Sequence, residues 1–162
     1  MAVPILLASQ SPQRSELLQA AGIPFSVVAS TTDESTINLP HPQACAVERA
    51  VAKALGVPRD LTVEHPDAVI LAADTVASLN GQMIGKPRDR EHAERTLQQL
   101  QGTTHVVSTA HCLLKADGAG TMSTVQAVGV AVAKVTMLPM SDGQIADYLA
   151  SGEWAGRAGA YA

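Results

Sequence analysis

Aromatic residues are nearly missing: one Trp, two Tyr and one Phe make up 2% of 162 residues. The core must therefore be built from Ala, Val, Leu and Ile. It forgoes the large area that each buried ring removes from water, so modest stability is expected. Cysteine is scarce too. Cys45 and Cys112 have no metal-ligand spacing and suggest no disulfide framework. Two reduced thiols suit a cytoplasmic protein. No stretch is densely basic and the net charge is −4, which argues against nucleic acid as a partner, because duplex affinity rests on clustered Lys and Arg. An acidic chain that binds polyanions needs focused local cations or a divalent metal. No apolar run approaches the ~20 residues of a membrane-spanning helix, and the run at Ile5–Ala8 has no basic lead or cleavage site. Neither a membrane partner nor a leader peptide is expected. No Gly-x-Gly-x-x-Gly follows a strand, so a generic Rossmann-like binder is a poor reading.

Apolar residues nevertheless make up 46%, and the length suffices for one domain with one sizeable core. Ile5–Ala8 reads as a buried strand. Ser11 is placed as the N-cap of a helix with Pro12 at its first position, Leu17, Leu18 and Ala21 on its apolar face, and Gly22 at its end. Residues 25–29 read as a strand and 30–43 as a polar loop. A helix is expected over about 42–55, with Val47, Ala50, Val51 and Ala54 facing the core, stopped by Gly56 and Pro58. Residues 68–73 form a continuous apolar run, typical of a central strand, ending in Asp74. Asn80-Gly81 marks a hairpin between 76–79 and 82–84. Asp89 caps a helix with core positions Ala93, Leu97 and Leu100, an outer Glu91–Arg95 pair, and Gly102 beyond its end. Two long strands follow, about 104–115 and 123–137, joined by a hairpin loop at 117–120. Ser141 opens a helix with a capping box to Gln144, and Met140 and Ile145 are placed for a hydrophobic staple. Met122, Met137 and Met140 read as core filler. The order is an α/β mixture with an antiparallel portion: a mixed sheet with flanking helices.

The first junction carries the strongest chemical hint. A strand gives way to a helix within a few residues, amid Ser9, Ser11 and Arg14. Helix N-termini expose about four unpaired N–H groups, and the dipole adds positive charge. The junction is a phosphate cradle or an ordinary capped helix with a solvated arginine. Asp33-Glu34 is a Mg²⁺ site built from hard oxygens or a solvated acidic loop. Arg49 and Lys53, four apart on one helix, splay into water as like charges, or Lys53 meets an anion in a cleft. Asp74, at the end of a buried run, is a base or metal ligand, or a turn residue bonding the backbone of Thr75 and Val76. In Gly85-Lys86-Pro87, glycine permits close backbone approach and proline stiffens the exit, so Lys86 is either a charge clamp or a loop lysine. The five histidines yield little. His105 and His111 share a strand face but lie roughly 20 Å apart and cannot chelate one metal.

In order, Leu-Ala-Ser-Gln-Ser-Pro-Gln-Arg (7–14), Asp33-Glu34-Ser35, Ala52-Lys53-Ala54, Ala72-Ala73-Asp74-Thr75-Val76, Gly85-Lys86-Pro87, Gly102-Thr103-Thr104-His105 and Ala158-Gly159-Ala160-Tyr161 closely resemble the Maf family. The resemblance spans the whole chain and implies a single Maf-like domain over residues 1–162. It implies an elongated α/β fold related to the inosine triphosphatases, with a cleft between two lobes. The implied activity is hydrolysis of the α–β phosphate bond of nucleoside triphosphates, giving a monophosphate and pyrophosphate. It implies Asp74 as proton acceptor, with Lys53 and Lys86 beside it in catalysis. Ser9, Ser11, Gln13, Arg14 and Thr75 fall at substrate-binding positions, and Glu34 with Asp74 at a site for Mg²⁺ or Mn²⁺. Asp74-Thr75 looks like the branch that prefers dTTP and UTP over the one preferring 7-methyl-GTP. Two departures stand out. Gln13 replaces a family arginine and removes a bidentate phosphate partner. Family members also continue beyond Ala-Gly-Ala-Tyr into a further strand and helix. An open sheet edge is a pairing hazard, which implies lower stability, dependence on a homodimer, or impaired activity. The competing reading is a nucleotide-binding regulator of cell division without turnover.

Overall fold

The computed structural model describes residues 3–116 and 124–161. The expected loop at 117–120 and Met122 lie outside the described residues. Strands β1 (Ile5–Ala8), β2 (Phe25–Val27), β3 (Val69–Leu79), β4 (Gln82–Ile84), β5 (Thr104–Lys115) and β6 (Thr124–Thr136) are interspersed with helices. The helices are α1 (Pro12–Ala20), α2 (Pro42–Leu55), α3 (Arg59–Glu64), α4 (Arg90–Leu100) and α5 (Asp142–Ser151). Among the described residues the sheet has six strands in the order β2-β1-β3-β5-β6, with β4 paired to β3. β1 is parallel to both β2 and β3, whereas β4 is antiparallel to β3. The sheet is therefore mixed, as expected, with helices flanking it.

The chain forms two compact units. The first comprises Met1–Leu39, Ala44–Asp74 and Ala110–Val130. Its core is small and aliphatic: Leu6, Leu7, Ala46, Ala50, Ile70, Ala72 and Leu114 are all buried. β1 feeds straight into α1. Ser11 sits at the N-cap and Pro12 at the first turn, but the Ser11 hydroxyl makes no capping bond. It donates instead to Gln13 Oε1 at 2.8 Å. The apolar face expected for α1 is absent. None of its residues is buried, and Leu17 is 71% exposed. α1 is held by its covalent junction with β1 and by Gly22, whose φ of 67° supplies the left-handed turn that ends it. β2 is two residues shorter than expected. α2 has the expected bounds, but its buried stripe is Cys45, Ala46, Ala50, Lys53 and Ala54, with Val47 and Val51 only half-buried. α3 was not expected; the Gly56–Pro58 stop is followed by one further short helix.

The second unit comprises Pro40–Gln43, Thr75–Thr109 and Ala131–Ala162. Its core joins Ala93 and Leu97 of α4 to Ile145 and Leu149 of α5 and to Ala160, with Met137, Met140, Tyr148, Trp154 and Tyr161 packed against them. The Ser141–Gln144 capping box is present, and Met140 packs against the cluster that contains Ile145. Asp89 caps α4 by accepting from His92 N at 2.7 Å. Glu91 and Arg95 pair at 2.6 Å. Asn80 (φ 51°) and Gly81 (φ 81°) make the two-residue turn between β3 and β4, the pair of positive φ values that a type I′ hairpin demands.

β3 corrects a more consequential expectation. Asp74 does not end a strand. β3 runs unbroken from Val69 to Leu79, with the carboxylate at its middle. Strand formers on both sides carry the ladder through, and the buried charge is met by side chains from elsewhere.

Candidate active site

The first unit gathers most of the chemistry. On β3, Asp74 is buried at 6% exposure. From α2, Lys53 reaches it with Nζ 2.8 Å from Asp74 Oδ1. The same ammonium lies 2.7 Å from Glu34 Oε2 and donates to Ala73 O at 3.3 Å. An ammonium has three donors, and Lys53 has three acceptors. Its burial on the small-residue stripe of α2 follows: a solvated lysine would not leave water without such compensation.

Glu34 opens a short 3₁₀ turn, Glu34–Thr36, on the loop after β2. That loop is fastened to the end of α2. Thr31 N donates to Gly56 O at 2.8 Å, and Thr32 Oγ1 to Ala52 O at 2.7 Å. Gly56 carries no Cβ because one would run into the Thr32 and Ser30 hydroxyls. The two adjacent acids part company. Asp33 accepts from Ser35 N and Oγ at 2.9 and 2.6 Å, bonds that hold its carboxyl below the usual range. Glu34 turns to Lys53 instead.

Burial pushes the Asp74 carboxyl above the ordinary carboxylate value. The Lys53 bond and charge pull it back, and Glu34 adds to the rise. Among the described residues, Asp74 Oδ2 is buried with no hydrogen-bond partner. The turn-residue alternative for Asp74 is therefore discarded: its side chain serves Lys53.

The β1–α1 junction is ordered around Ser9. Its hydroxyl accepts from Ser11 N at 3.2 Å and from Arg14 Nη1 at 2.8 Å. Burial lowers the Arg14 pKa, opposed by the negative charges of Asp74 and Glu34. Arg14 is thus within the field of both acids and is not a solvated helix-start arginine. Gln13 is exposed beside Ser11. Thr75 and Lys86 belong to the second unit. Thr75 Oγ1 bonds Thr109 Oγ1 at 3.0 Å. Lys86 is exposed just beyond β4, and a Cβ at Gly85 would meet nothing within 4 Å.

Sequence reasoning missed Arg49. It expected Arg49 splayed into water, but the guanidinium turns inward. Nε and Nη2 donate to Ile37 O at 3.0 and 2.9 Å, and Nη1 lies 3.9 Å from Asp74 Oδ2. The signal was available. Positions 46, 49, 50 and 53 recur at helical spacing on one face, and two cations on a face otherwise made of alanine imply acceptors opposite. His105 was also undervalued. It is buried, and its Nε2 lies 2.7 Å from the Tyr161 hydroxyl. His111 is exposed, and the buried alternation of β5 slips by one residue between His105 and Ser108.

Among the described residues, no three His, Cys, Asp or Glu side chains form a ready metal cage. Glu34 and Asp74 are nonetheless oxygen donors facing one cation, and Asp74 Oδ2 has unused lone pairs in a buried setting. Such a pair fits Mg²⁺, which uses one or two carboxylates and completes its shell with water and phosphate oxygens.

A sequence model of the family described as Maf-like protein matches residues 4–162. A dTTP/UTP pyrophosphatase of Pyrococcus furiosus is 37% identical over 159 residues, 97% of this chain and 76% of its own length. A dTTP/UTP pyrophosphatase of Anaeromyxobacter sp. is 41% identical over 162 residues, 100% of this chain and 74% of its own. A nucleoside triphosphate pyrophosphatase of Synechococcus sp. is 38% identical over 162 residues, covering 100% of this chain and 78% of its own.

Proposed function

The chain belongs to the Maf-like protein family, and from that premise we propose how its residues carry out the reaction. The activity is that of a nucleoside triphosphate pyrophosphatase, a hydrolase of acid anhydrides. It cleaves the α–β phosphate bond to release a nucleoside monophosphate and pyrophosphate. The curated relatives named for dTTP and UTP make those nucleotides the substrates to test first.

The observation that carries the mechanism is the Glu34–Lys53–Asp74 cluster, in which Lys53 and Asp74 are buried and Glu34 is partly exposed. Asp74 acts as general base. Its Oδ2 accepts a proton from a water as the water oxygen bonds to the α-phosphorus, and the bond from that phosphorus to the bridging oxygen breaks. Pyrophosphate departs with the electron pair. Burial favours proton acceptance by raising the carboxyl's affinity for it. Lys53 holds Oδ1 and fixes the direction in which Oδ2 faces. Arg14 offsets phosphate charge from the β1–α1 junction, where Ser9, Ser11 and Gln13 offer hydroxyl and amide contacts. Lys86 is assigned a catalytic, phosphate-handling role and Thr75 a substrate-binding one on the family resemblance alone. Glu34 and Asp74 would hold a divalent cation, Mg²⁺ or Mn²⁺, which when bound neutralises phosphate charge.

No helix among the described residues is long and apolar enough to cross a membrane. We infer a cytoplasmic setting from the two free, buried cysteines.

Pyrophosphate release measured over dTTP, UTP, other canonical nucleotides and modified nucleotides, with and without Mg²⁺, tests the reading. Metal-dependent release from dTTP or UTP is expected. Thermal stabilisation by nucleotide with no turnover anywhere on the panel would overturn it in favour of a binding regulator.

A further inference from the structure

We propose that Arg49 is a positioning residue that sets both carboxylates of the site from one guanidinium, a role that rests on the pyrophosphatase reading. Two of its nitrogens converge on one carbonyl. Nε and Nη2 donate to Ile37 O at 3.0 and 2.9 Å, and Cys45 Sγ approaches the same oxygen at 3.5 Å. Ile37 directly follows the Glu34–Thr36 turn and closes it, Ile37 N donating to Glu34 O at 3.2 Å. Arg49 thus pins to α2 the turn that presents Glu34. Its third nitrogen, Nη1, lies 3.9 Å from Asp74 Oδ2, the oxygen that no hydrogen bond holds.

The work divides cleanly between two cations one helical turn apart. Lys53 bonds both carboxylates directly. Arg49 determines where the Glu34 backbone sits and places a positive charge beside the oxygen left to receive the proton. A planar fork is needed for this. Lysine can supply the charge but not two parallel bonds to a carbonyl plus a third direction. The side chain is 23% exposed, so water screens it little. Arg49 acts through Glu34 and Asp74, so it should govern how well the reacting groups are aligned more than how tightly nucleotide binds.

The full chain carrying Arg49→Met or Arg49→Lys tests this with three readouts: kcat and KM for pyrophosphate release from dTTP, thermal unfolding, and amide exchange at Thr36 and Ile37. Arg49→Met should lower kcat roughly a hundredfold, the scale of a misplacement near 1 Å, with little change in KM. Exchange at Ile37 should speed up while β1 and β3 stay protected. Arg49→Lys should fold, keep the fast exchange and keep most of the kcat loss. Wild-type kcat in Arg49→Met, unchanged exchange at Ile37, or full recovery in Arg49→Lys would each overturn the proposal. A wild-type chain inactive on every nucleotide would remove the pyrophosphatase reading instead, and the exchange comparison would still decide whether Arg49 holds the Glu34 turn.

Discussion

Asp74 is one carboxylate placed under two opposing demands. Burial disfavours its charge, and Lys53 opposes that effect without cancelling it. Asp74→Asn keeps an oxygen for Lys53 and removes the basic function together with the carboxylate charge offered to a divalent cation. Turnover should fall about 10²- to 10⁴-fold, the usual contribution of a positioned base, with the melting temperature nearly unchanged. Retained turnover in a folded Asn variant would remove Asp74 as base. The second residue-scale prediction concerns His105, buried against Tyr161 with Nδ1 unpartnered among the described residues. Burial lowers its pKa below the ordinary histidine value. In the window between that lowered value and about 6.5, the unfolded chain therefore binds more protons than the folded one. The contribution is present above about pH 6.5 and lost as pH falls through the folded value. Melting temperatures at about pH 7.5 and about pH 5.5 should differ more for wild type than for His105→Gln; equal differences would show that His105 does not titrate in folding. The sequence made the acidic and basic candidates visible but not their partners. Asp74 announced itself as a lone carboxylate against an apolar run. That Lys53, 21 residues earlier, would meet it could not be read from local spacing. Arg49 was set aside because an i,i+4 pair of like charges looks solvated when nothing is known of the face opposite.

At the level of elements, legibility followed whether the local signal was also the stabilising one. α5 shows agreement. Its capping box lies in the sequence, and the structure forms both reciprocal bonds. Ser141→Ala should cost about 1 kcal/mol, seen as a drop of a few degrees in melting temperature with activity intact; no drop would mean that packing of Ile145 and Leu149 alone holds the helix. α1 shows the opposite. Leu17, Leu18 and Ala21 are spaced for an apolar face, yet nothing in the helix is buried, because its place is dictated by the chain leaving β1. β3 fails the local rule for a third reason. A buried polar residue usually signals a strand end, and here the strand continues through it because the charge is satisfied by α2. Each miss has a tertiary cause: an acceptor, a packing surface or an exit direction supplied by residues far away in sequence.

For the molecule as a whole, the consequential feature is an edge. Among the described residues β6 ends the sheet order, runs for 13 residues, and contains no proline and only one charged residue, Lys134. Natural edges of this length are normally blunted by charge, proline or bulges. Val128, Val130 and Val132, on one face, are 41%, 39% and 50% exposed. The strand is also nearly palindromic about Val130: Thr124 mirrors Thr136, Val125 mirrors Val135, Ala127 mirrors Ala133, and Val128 mirrors Val132. Antiparallel pairing of two copies about a twofold at Val130 sets like against like. It also places Lys134 of one copy opposite Gln126 of the other, so no two lysines face each other. Cross-strand pairs contribute roughly 0.2–1 kcal/mol each, and the symmetry applies every pair twice except Val130–Val130, which lies on the axis. The prediction is a concentration-dependent dimer, read by light scattering or sedimentation. Val130→Lys is the discriminating variant: it places two ammonium groups opposite each other at the twofold, where like charges destabilise, while the side chain remains exposed in the monomer. Wild type should associate and the variant should not, with equal melting temperatures at low concentration. A wild-type chain that stays monomeric as concentration rises, or a variant that associates equally well, would show that the open edge is protected by something other than a second copy.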